Sequence, residues 1–210
     1  MIDILAGSIA LWGYACIFKH EIRPSDMGEQ HRLFLGIPIP PEIIQTLFDF
    51  QETMPFQSGI SWVKPRNFHI TVYFFGAVPT ERLANLQAML EVGLKRFDPF
   101  ALSFDRYVLA PKPSEARMIW ARYRKAAAFR ALVQFIHSLY SQIEPEVQAR
   151  KSPIPHLTLA RIKQKEKAPH GQWWDGPTPP PKLSVEELVL WKSTLLPEGP
   201  EYSVLRRYKL

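Results

Sequence analysis

Two histidines carry the residues best suited to chemistry. His69 opens the string His69-Ile70-Thr71-Val72, and His156 opens His156-Leu157-Thr158-Leu159. On a strand, side chains two apart point to the same face. His69 and Thr71 then share one face, and Ile70 and Val72 the other. The second string repeats the arrangement. Each motif offers an imidazole and a hydroxyl to a cleft and two apolar groups to a core. An imidazole ordinarily titrates near pH 6.5, so one can protonate a leaving oxygen while the other deprotonates an attacking water. Each threonine can donate a hydrogen bond to a non-bridging phosphate oxygen. The pair suits in-line displacement at a phosphodiester and requires neither metal nor cofactor.

One His-x-Thr-apolar string is common, and the chain has six histidines. What makes the two a pair is their setting. Residues 32–37 read as a strand. Pro40 and Pro41 open a helix running to about Glu52, with Ile43, Ile44, Leu47, Phe48 and Phe50 on its apolar side. A short extended piece at 60–63 precedes a strand at 68–75. Thr80 starts a second helix carrying Leu83, Leu86, Met89, Leu90 and Leu94. The second half repeats the plan. Strands are expected at 101–109 and 117–123, a helix from about Ala126 to Ile143, and a strand at 156–162. Two last strands, 184–195 and about 201–208, form a hairpin around Pro197, Glu198 and Gly199. From Leu33 to His69 is 36 positions, and from Ile119 to His156 is 37. Such matching predicts duplicated lobes about an approximate two-fold axis, with both His-x-Thr strands at one cleft.

The stretches RLFLGIPIP, WVKPRNFHITVYFFG, RMIWARY, PHLTLAR and LWKSTLLPEGPEYSVL span about residues 31 to 208. In that order they resemble the bacterial RNA 2′,3′-cyclic phosphodiesterases, the LigT-like group of the 2H phosphoesterase superfamily. The resemblance implies an α+β fold of two pseudo-symmetric lobes. Each would be an antiparallel sheet with helices on its outer face, around a central cleft. It implies metal-independent hydrolysis to a 2′-phosphate, with His69 the proton donor and His156 the acceptor. It also implies that Arg161 can contact phosphate. Arg161 lies five past His156, and an odd offset in a regular strand faces away, so reaching the phosphate requires a bulge or a strand end, and a solvated surface arginine is the other reading. The implied partner is an RNA 2′,3′-cyclic phosphate end, tRNA fragments included, or a small cyclic nucleotide. Cleavage of cyclic nucleotides or 2′-5′ oligonucleotides, and RNA-end ligation, would use the same pair. A non-catalytic RNA-binding module would not need two proton-transfer groups. A histidine metal site would need further ligands, and no His, Asp or Glu shows a convincing ligand spacing.

Composition sets the remaining bounds. With 210 residues, 46% of them hydrophobic and 22% charged, the chain suits a folded protein rather than a disordered one. A net charge of +6 permits an anionic partner without identifying one. The single cysteine, Cys16, leaves no internal disulfide and fits the cytoplasm. Residues 1–26 read as an N-terminal extension from an upstream start, and 27–210 as one bilobal domain. The apolar run at 4–18 is short for a bilayer span. A monomer with no obligate protein partner and no stable membrane association is expected. Residues 163–182 form a basic, proline-rich loop carrying Trp173 and Trp174. Lys64 and Arg117 are weaker cleft candidates, while Phe34, Trp62, Phe68 and Tyr73 could stack on a base or fill the core. His137 and His170 receive no role.

Overall fold

The computed structural model describes residues 29–54, 59–145, 153–163 and 179–210. The expected extension 1–26, Cys16, His170, Trp173 and Trp174 lie outside them. The chain runs β1 (Gln30–Pro38), α1 (Pro41–Thr53), β2 (Ile60–Trp62), β3 (His69–Pro79), α2 (Thr80–Leu94), β4 (Phe100–Leu102) and β5 (Phe104–Ala110). It continues through β6 (Met118–Tyr123), α3 (Ala127–Tyr140), β7 (His156–Ile162), β8 (Leu183–Val185), β9 (Glu187–Leu196) and β10 (Gly199–Lys209). Among the described residues no helix is long and apolar enough to cross a membrane.

The α+β architecture is as expected. One sheet runs β10-β9-β1-β3-β7-β6-β5, with β2 also paired to β7, and every pairing is antiparallel. The two lobes meet where β3 pairs with β7, through the single pair Ile70 and Leu157. Two expected strands divide. Residues 101–109 split at Ser103, and 184–195 split at Glu186, because β4 and β8 leave the main sheet to pair with each other. Alternating apolar residues fit both a straight strand and one that changes sheet, so pattern alone could not show the break.

Two of the three helices, α1 and α3, are exchanged between the lobes. In α1, Pro41 sits in the first turn, where its missing N–H costs nothing. The buried Ile43, Leu47 and Phe50 form its inward stripe. That stripe covers the second lobe, with the Phe50 ring stacked on Tyr107 of β5 at 3.7 Å. Gln51 Nε2 donates to the carbonyls of Val63 and Leu159, 3.1 Å from each, satisfying buried groups. Conversely, α3 from the second half covers β3. Tyr140 packs edge-on against Phe75, and its hydroxyl donates to the Phe75 carbonyl at 3.4 Å. His137 hydrogen-bonds the Tyr73 hydroxyl at 3.1 Å. α1 thus covers strands of the second half, while α3 covers β3 together with α2 of the first half.

Candidate active site

The duplication extends to the local backbone. Along His69–Phe75 and along His156–Ile162 burial follows the same sequence: partial, buried, partial, buried, buried, exposed, buried. In both strands a bulge breaks the alternation at the fourth position. Thr71 pairs with Gly36 and Tyr73 with Leu35, leaving Val72 without an opposite residue. Thr158 pairs with Trp120 and Ala160 with Ile119, leaving Leu159 likewise. An extra residue resets which face later side chains take. The bulge at Leu159 therefore brings Arg161 to the face of His156 and Thr158, against the far face that its odd offset gives in a regular strand. The register also corrects the repeat, since Leu35, not Leu33, is equivalent to Ile119. The near-continuous apolar run of β1 gave pattern-matching no register.

Five residues expected at the site, His69, Thr71, His156, Thr158 and Arg161, line one cleft of about 410 Å3. Ile70 and Leu157 are ladder partners, so counting one residue either way sets His69 across from Thr158 and His156 across from Thr71. The histidines are thus diagonal neighbours across the junction, both on the lining of one cleft.

Backbone carbonyls fix both rings alike. His69 Nδ1 is 2.7 Å from the Asn67 carbonyl, and His156 Nδ1 is 2.8 Å from the Ile154 carbonyl. A carbonyl only accepts, so each Nδ1 carries a proton, and any proton exchanged with a substrate would pass through Nε2. Asn67 also donates from Nδ2 to the Pro200 carbonyl at 2.9 Å, tying the approach to β3 to the β9–β10 hairpin.

The walls differ. Around His69 stand Phe34 at 4.7 Å, Tyr202 at 5.2 Å and edge-on, and Trp191 at 5.7 Å between ring centroids. Burial among them pushes the His69 imidazole down from 6.5 to about 4. The Asn67 carbonyl opposes that shift, while the charges of His156 and Arg161 add to it. Burial also raises the Tyr202 phenol, which stays neutral. His156 instead stacks on Trp120 at 3.7 Å. Gly36, equivalent to Trp120, has to be bare. A Cβ there would lie 2.8 Å from the Ile70 carbonyl oxygen and 3.0 Å from the Trp191 ring. We expect Gly36→Ala to cost about 1–3 kcal/mol of stability, the usual range for overpacking, as read by urea denaturation. An unchanged midpoint would show that β1 yields freely.

Sequence reasoning did not assign Trp120, Trp191, Tyr202, Asn67 or Arg32 to this site. The hairpin residues become visible only through register, which places Trp191 opposite Phe34 of β1. Of the candidate stacking residues, Phe68 and Tyr73 are core, and Phe34 is buried in the cleft wall. Trp62 and Lys64 line an adjoining groove that shares Arg161 and Tyr202 with the cleft. Arg117 is exposed and is not among the cleft's lining residues. Among the described residues no three His, Cys, Asp or Glu side chains gather as a metal site would need.

Known proteins place this chain in a family. Residues 37–120 match the family described as LigT-like phosphoesterase. An RNA 2′,3′-cyclic phosphodiesterase of Thermus thermophilus is 30% identical over 190 residues, covering 85% of this chain and 90% of that one. The chain belongs to the LigT-like phosphoesterases. An enzyme of the same name from Archaeoglobus fulgidus is 29% identical over 182 residues, covering 85% of this chain and 99% of its own. A crystal structure of a Thermus thermophilus protein superposes with a TM-score of 0.70 at 28% identity, over 85% of this chain and 97% of that one. The Escherichia coli LigT apo structure shares the fold, with a TM-score of 0.69 at 24% identity, over 87% and 99%.

Proposed function

We propose that this LigT-like enzyme hydrolyses 2′,3′-cyclic phosphate ends of RNA, tRNA fragments included, leaving 2′-phosphates. A small cyclic nucleotide would present the same reacting group. The observation that carries the reading is the duplicated His-x-Thr backbone, with both imidazoles pinned through Nδ1 beside one cleft. The names of the relatives supply the substrate class. His156 Nε2 takes a proton from water as the water oxygen bonds to phosphorus. The bond from phosphorus to the 3′ oxygen breaks, and that oxygen takes a proton from His69 Nε2. Thr71, Thr158 and Arg161 hold the non-bridging oxygens. Proton exchange with solvent then resets both rings, and the chain acts as a monomer.

The deciding experiment is product analysis on an RNA bearing a cyclic phosphate. A 2′-phosphate end is expected, and a 3′-phosphate end would reverse the choice of leaving oxygen. Activity should survive EDTA, whereas loss restored by a metal would overturn the two-histidine scheme.

The low proton affinity of His69 in the free protein yields a sharper test. A donor must be protonated when the substrate is bound. The phosphodiester brings a negative charge beside the ring, which raises the imidazole above its free value of about 4. Between those two values, binding takes up a proton. Titration calorimetry with a nucleoside 2′-phosphate at pH 5–6, in two buffers of different ionisation enthalpy, should show more proton uptake in the wild type than in His69→Ala, the comparison cancelling the ionisation of the phosphate itself. Equal proton uptake in the two proteins would remove His69 as the donor.

A further inference from the structure

The two-fold relation between the lobes is broken beside the histidines. Thr158 is paired with Trp120 and His156 with Arg122, whereas Thr71 is paired with Gly36 and His69 with Pro38. Directly paired residues share a face of the sheet. Trp120 and Arg122 therefore stand next to His156 where the first lobe has a glycine and a proline. The Trp120 indole lies nearly flat on the His156 ring, 3.7 Å between centroids and 23° between planes. The rings around His69 are steeper, inclined to it by 34°, 48° and 90°. Trp120 is not among the cleft's lining residues, so it backs His156 rather than meeting a substrate. Its Nε1 is buried with no hydrogen-bond partner among the described residues, so what the indole offers is its face.

The charges around His156 call for such a support. His69 of β3, Arg161 of β7, Arg32 of β1 and Tyr202 of β10 line the same cleft. Arg122 of β6 is held by Asp105 of β5 at 2.6 Å. Among the described residues no Asp or Glu lines the cleft, and His156 Nδ1 meets a neutral carbonyl, that of Ile154. A proton taken up by His156 thus adds a positive charge among basic groups, with no carboxylate on the cleft lining. An indole face carries partial negative charge and attracts a planar cation.

We propose that Trp120 is a positioning residue that holds His156 flat and stabilises its protonated form, in the place where a carboxylate could stand. The inference rests on the hydrolysis reading above, in which His156 Nε2 takes the proton of the attacking water. The indole attracts the imidazole more strongly after that transfer than before it, so it favours the transition state over the bound substrate. Gly36 gives His69 no such support, which suits a ring that has to release its proton. One substitution in a duplicated setting thus makes two like histidines unlike in role.

Ring-carbon NMR tests this by following the His156 signal, identified by its loss in His156→Ala, as pH is varied. The midpoint should move to lower pH in Trp120→Leu, which keeps an apolar side chain without a face, and stay closer to the wild type in Trp120→Phe. On adenosine 2′,3′-cyclic phosphate, kcat should fall about tenfold in Trp120→Leu, within the range of a desolvated cation–π contact, with KM little changed. A fluorinated tryptophan at position 120 keeps the shape and drains charge from the face. It should shift the midpoint the same way even if Trp120→Leu folds poorly. A midpoint that stays put in both proteins overturns the inference while hydrolysis stands, and so does a loss of activity seen in KM alone. A wild type that leaves the cyclic phosphate intact overturns the hydrolysis reading, and the inference with it.

Discussion

His69→Ala and His156→Ala are each expected to lower the hydrolysis of a 2′,3′-cyclic phosphate RNA end by about 10²- to 10⁴-fold. Both imidazoles are held by a carbonyl two residues upstream, so each loss removes an oriented proton carrier rather than a mobile side chain. The threonines and Arg161 remain in either variant, so activity above the uncatalysed rate should persist. The double variant should fall little below the worse single one, because one transition state uses both transfers. A substrate with sulfur in place of the 3′ oxygen separates the roles. Its leaving thiolate needs no proton, so it should restore turnover to His69→Ala and not to His156→Ala. Rescue of His156→Ala alone would exchange donor and acceptor, and full activity of either variant on ordinary RNA would sink the mechanism.

The second large effect falls far from the phosphate. Phe50→Ala should destabilise the protein by about 3–5 kcal/mol, measured by urea denaturation. Phe50 is fully buried, and its ring lies on Tyr107 at 3.7 Å and 12°. The residue after it, Gln51, holds the Val63 and Leu159 carbonyls. Leu159 is the bulge residue that turns Arg161 into the cleft. A cavity at Phe50 should therefore loosen the backbone that aims Arg161, raising the KM for substrate in whatever protein stays folded. A stability loss under 1 kcal/mol would mean that the core closes around the gap.

Much of this was legible in the sequence because the informative residues repeat. His69 with Thr71 and His156 with Thr158 obey strand periodicity, and Pro41, Ile43, Leu47 and Phe50 obey helical periodicity. Those local rules placed α1, β3 and β7. The strand broken at Ser103 was not legible, since alternation does not say which sheet a strand joins. Nor was the exchange of α1 and α3, because an amphipathic stripe shows that a helix is covered without naming its cover. Trp191 and Tyr202 were missed for a related reason. They reach His69 only through strand register, and register is a long-range property. Arg161 was different: its odd offset alone put it on the far face, the resemblance put it at the phosphate, and the bulge at Leu159 is what reconciles the two.

The single rung between Ile70 and Leu157 has a mechanical consequence. Each of the two motif histidines immediately precedes one member of that rung. The junction is also strapped from both sides, since β2 of the first half pairs with β7 and α1 and α3 each pack on strands of the opposite half. The spacing of the two imidazoles is therefore a property of the backbone scaffold and not of their side chains.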